Sequence, residues 1–171
     1  HQLTKKLLTK EIKDIILIQY HLYFFKLPLY RMIPNLYAYL LSFAFTTVLL
    51  IYTINLPTIL TGDTELVKMY YLTNYKSNLI LDVFLIALYL WIAEVGIRYL
   101  NVSETWKRLL IVMLVTCMIS SLFYIYFIST PKASNFFSIW FHTVGFKAVV
   151  YDMILVTATY YTYDCLLKNF T

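Results

Sequence analysis

Four carboxylates set inside long apolar stretches are the residues here most able to do chemistry: Asp82 and Glu94 within 79–97, and Asp152 and Asp164 within 148–167. An acid within a membrane span costs at least ~2.5 kcal/mol to insert, so it faces protein or water rather than lipid. Asp82 and Asp152 fall about four to six residues inside their stretches, roughly 6–9 Å deep as helix. At that depth Lys76 and Lys147 are expected to bend toward them, with Tyr, Ser or Thr hydroxyls completing the shell. Glu94 and Asp164 fall near the far end of the same stretches, where Arg98, Lys107, Arg108 and Lys168 are available. Glu94 precedes Arg98 by four residues, the favourable order for a helix ion pair. This spacing supports structural charge pairing. The competing chemistry is a proton or cation relay through Asp82 and Asp152, but relays use ionisable groups near the midplane. The centre of 109–128 offers only Thr116, Cys117, Ser120 and Ser121.

The elements that position these acids are read from hydropathy. Residues 36–54 and 109–128 carry no charge, and 79–97 and 148–167 are as long. About twenty apolar residues cross a ~30 Å hydrocarbon core as helix, and a bilayer offers a bare backbone no partner, so strands are excluded. With 61% hydrophobic and 13% charged residues, the chain has no room for a separate soluble domain. The expected fold is all-α: an integral membrane four-helix bundle with spans near 36–54, 79–97, 109–128 and 148–167, preceded by an amphipathic helix.

That N-terminal arm, residues 1–30, alternates Leu and Ile at helical spacing with Lys5, Lys6, Lys10 and Lys13, which suits anionic lipid headgroups. Residues 31–171 form the expected four-span domain. The side holding both termini and the loop after 97 collects ten Lys and Arg against four on the other, placing the termini on the cytoplasmic-equivalent side. The segment 135–142 puts Phe136, Phe137, Trp140 and Phe141 on one face, as a short helix in the headgroup layer would. A weak internal echo, aromatic-Lys then Asp and a second acid twelve residues on, suggests two related hairpins, 31–100 and 101–171.

Enzymatic motifs are absent. The chain has no nucleophile elbow, phosphate loop or metal-ligand spacing, and His1, His21 and His142 are scattered. Cys117 and Cys165 fall at different depths and read as packing residues. No catalysis, cofactor, metal or nucleic-acid partner is expected; lipids and neighbouring membrane proteins are.

The block SNFFSIWFHTVGFKAVVYDMILV, 134–156, resembles segments of small multi-span membrane proteins of nucleocytoplasmic large DNA viruses. The resemblance is carried by Gly-aromatic-Lys-x-x-x-Tyr-Asp before an apolar run. It implies a structural or scaffolding protein in the internal virion membrane, in contact with capsid proteins. The aromatic composition fits equally an accessory subunit of a mitochondrial respiratory or ATP-synthase complex. A small proton or cation transporter using Asp82 and Asp152 is the reading from a different functional class.

Overall fold

The computed structural model describes residues 36–131 and 136–170, all of whose regular elements are helical. The expected basic arm 1–30, with Lys5, Lys6, Lys10 and Lys13, lies outside the described residues, as does Lys132.

The first helix, α1 (Leu36–Thr47), runs into a π-helical turn at Val48–Thr53. Two short helices follow: α2 (Leu56–Thr61) and α3 (Thr64–Lys68), the latter continuing as a second π-helical turn at Met69–Thr73. Two long helices, α4 (Tyr75–Tyr99) and α5 (Thr105–Ser129), have 25 residues each. At ~1.5 Å per residue each is roughly 37 Å long, enough to cross a bilayer with some tilt. The chain ends with α6 (Phe136–Val144) and α7 (Lys147–Phe170).

Among the described residues, three helical stretches are long and apolar enough to cross a membrane: Leu36–Thr53, Tyr75–Tyr99 and Thr105–Ser129. The fourth expected span, 148–167, differs from its expectation. α7 is a continuous helix, but its two acids and its run of hydroxyl residues dilute its apolar character. It qualifies only together with α6, from which it bends by 106°. Gly145 makes that bend, with φ +63°, a conformation that a side chain would strain by about 1 kcal/mol. The number of candidate spans among the described residues is therefore three, or four if the bent pair counts as one.

The packing of α5 reverses the soluble pattern. Its buried residues are Val112, Thr116 and Ser120, each 0% exposed and spaced by four along one narrow stripe. The opposite stripe shows Leu114, Met118 and Leu122 at 62–68% exposure. Small and polar residues inside with large apolar ones outside is the arrangement lipid favours, because close backbone approach rather than apolar burial holds such helices together. α5 packs most extensively on α7, and Thr159 on α7 is likewise fully buried. The hydroxyls of Thr116 and Thr159 donate to the carbonyls four residues back, both at 2.8 Å, so neither is left unsatisfied.

Candidate functional site

Polar groups gather in two layers, one near each end of α4, α5 and α7. The layer at the C-terminal ends of α4 and α7 is ionic. Arg98 Nε donates to Glu94 Oε1 at 3.1 Å within α4. Arg108, from the first turns of α5, reaches both neighbours: Nη1 lies 2.8 Å from Asp164 Oδ1 and Nη2 3.9 Å from Glu94 Oε2. Lys168 closes the other side of Asp164 at 2.6 Å and also donates to the Thr105 hydroxyl at 3.1 Å. The Arg108 guanidinium sits 5.4 Å from the centre of the buried Tyr160 ring. Five charged side chains from three helices thus form one network around Asp164, whose side chain is only 6% exposed.

The second layer lies at the N-terminal ends of α4 and α7 and holds the other two acids. The Tyr70 hydroxyl donates to Asp82 Oδ1 at 2.6 Å, and the Ser120 hydroxyl donates to Asp152 Oδ2. The Tyr71 and Tyr151 hydroxyls share a hydrogen bond of 2.7 Å. Asn78 donates to the Tyr70 carbonyl at 3.0 Å, and the Tyr52 hydroxyl donates to the Tyr71 carbonyl at 3.1 Å, so both π-helical turns are tied into this layer. Burial, reinforced by the Asp82 charge, pushes the Tyr70 phenol well above its ordinary range, which keeps it a donor at neutral pH.

Asp82 and Asp152 line one cavity of about 220 Å³. The wall between them is largely aromatic, with Tyr70, Tyr89, Phe127, Trp140 and Tyr151 among its rings. The α6 helix supplies part of that wall. The headgroup helix expected around 135–142 is present over Phe136–Val144, but its aromatic face turns inward. Trp140 and Phe141 are buried; Trp140 lies 5.4 Å from Tyr70, and Phe141 stacks on Phe127 at 5.3 Å.

Of the expected partners of the two cavity acids, the Tyr and Ser hydroxyls are observed and the lysines are not. Lys76 and Lys147 make no ion pair with Asp82 or Asp152 among the described residues; both are exposed, and Lys76 lies 5.9 Å over the Tyr75 ring. The reason is helical phase. At 3.6 residues per turn, six residues rotate by about 240° and five by about 140°, so neither lysine shares a face with its acid. Tyr70, in a short segment remote from α4 in hydropathy, gave no signal that it would reach Asp82. Ser120 stood out in the sequence as one of four polar residues at the centre of 109–128, with nothing to tie it to Asp152 in particular. The twelve-residue spacing within each helix does carry over: Asp82 and Asp152 reach one layer, Glu94 and Asp164 the other.

No protein-family model, curated protein or solved structure matches this chain. Among the described residues there is also no cluster of three or more His, Cys, Asp or Glu that would hold a metal ion.

Proposed function

We propose that this chain is a non-enzymatic structural protein of a membrane, a multi-pass helical scaffold that works in contact with neighbouring proteins. One observation carries the reading: the acids within the long helices are engaged by side chains of the same molecule. Glu94 and Asp164 meet Arg98, Arg108 and Lys168, while Asp82 and Asp152 meet Tyr70 and Ser120. Such groups fasten helices to one another and leave the apolar faces to lipid or to partners.

The setting we favour is the internal membrane of a large DNA virus, beneath the capsid, on the strength of the resemblance over 134–156. The alternative is an accessory subunit of a mitochondrial respiratory or ATP-synthase complex. Extraction of the protein from its native membrane in mild detergent, followed by mass spectrometry of what accompanies it, tests the proposal. Capsid proteins in fixed ratio are expected, and respiratory subunits would move the same scaffold to the other setting. Recovery as a partnerless monomer would contradict both. That result would favour a second reading, a small proton or cation transporter, for which the shared cavity of Asp82 and Asp152 is the supporting observation.

A further inference from the structure

The cavity differs from the ionic layer in one respect that points to a ligand: among the described residues it holds two acids and no base. Its sixteen described lining residues include Asp82, Asp152 and nine aromatic residues, and none of these sixteen is Lys, Arg or His. Each carboxylate accepts one hydrogen bond, Asp82 through Oδ1 and Asp152 through Oδ2. The second oxygen of each has no hydrogen-bond partner among the described residues. The volume, about 220 Å³, far exceeds the ~10–15 Å³ that one water needs.

From this juxtaposition we infer that the cavity is a binding site for a small organic ammonium group. In their ionised form the two carboxylates supply opposite charge. The aromatic walls supply ring faces, which attract a weakly hydrated cation within about 6 Å of their centres. A bare metal ion fits this lining poorly. Calcium takes six to eight oxygen ligands and magnesium holds octahedral geometry, whereas most of this wall is carbon. A neutral apolar guest would leave the two free carboxylate oxygens unanswered, and an anion would be repelled by them. The ammonium group belongs either to a free amine or to the headgroup of a choline lipid, since the chemistry of the site is the same for both. The inference stands on the cavity alone and holds whether the protein is a scaffold or a transporter.

The test uses the full chain in nanodiscs of phosphatidylglycerol, a lipid without an ammonium group. Binding of tetramethylammonium and choline is measured by equilibrium dialysis. Saturable binding is expected, about tenfold or more tighter than that of 3,3-dimethylbutanol, the uncharged isostere of choline, because only the cation engages rings and carboxylates together. Equal binding of the neutral isostere, or no saturable binding of either cation, would overturn the inference without any variant being made. The Asp82→Asn/Asp152→Asn variant should lose that tenfold preference while keeping its helical circular dichroism; a folded variant that keeps the preference would equally overturn it. Repetition in phosphatidylcholine nanodiscs identifies the source. Weakened choline binding there marks the lipid headgroup as occupant, and unchanged binding marks a free amine; both outcomes support an ammonium site.

Discussion

Arg108→Ala should destabilise the protein by about 3 kcal/mol, the largest effect expected of a single truncation here. The guanidinium joins α5 to α7 through Asp164 and to α4 through Glu94, and covers the Tyr160 ring. Its removal leaves Asp164, 6% exposed, with Lys168 as its remaining cation. Breaking a buried pair costs more than the pair contributes, because the charge left behind stays desolvated. Lys168 is itself 56% exposed and its pair is softened by solvent, so it cannot substitute for Arg108. Unfolding in mixed micelles with increasing dodecyl sulfate measures the effect. Restoration of much of the loss by Asp164→Asn in the Arg108→Ala background would confirm that the stranded carboxylate is its source. A cost below about 1 kcal/mol for Arg108→Ala would mean that the network behaves as an ordinary solvated surface.

Ser120→Leu should follow closely, at roughly 3 kcal/mol, for a different reason. Ser120 is 0% exposed on the α5 stripe that faces α7, where the small side chains of Thr116 and Ser120 admit close approach. A leucine there forces the helices apart, which costs about 1–3 kcal/mol, and deprives Asp152 of its donor, which costs about 1–3 more. Ser120→Ala separates the two contributions. It keeps the helices close and removes only the hydrogen bond, so about 1 kcal/mol is expected from it. The same micelle titration reads both variants. Equal costs for Ala and Leu would show that α5 and α7 are not in close contact at this position.

Hydropathy and depth made the long helices and their two acid layers legible. Uncharged runs place α1 and α5, and the position of each acid in its run sends Asp82 and Asp152 to one end, Glu94 and Asp164 to the other. The four-residue spacing of Glu94 and Arg98 carries a contact directly, because both lie on one helix. What hydropathy does not encode is azimuth. Lys76 and Lys147 are close to their acids in sequence yet point elsewhere around the helix, while Tyr70 reaches Asp82 from a separate segment. The inward turn of Trp140 and Phe141 was illegible for a related reason. An aromatic face reads alike whether it meets headgroups or another helix, and the 106° bend at Gly145 decides between them. The character of α7 was likewise hidden, since its hydroxyls become core groups only when α5 packs on them.

The central claim, that α4 crosses a membrane with a polar layer toward each side, is tested most directly by labelling the chain at both ends of that helix. Glu65, before α4, and Ser103, after it, are both exposed. With Cys117 and Cys165 replaced by alanine, Glu65→Cys and Ser103→Cys variants are treated in sealed vesicles with a membrane-impermeant maleimide. Labelling of one site from outside, and of the other only after the vesicles are opened, is the expected result. Equal labelling of both from the same side would contradict the crossing of α4.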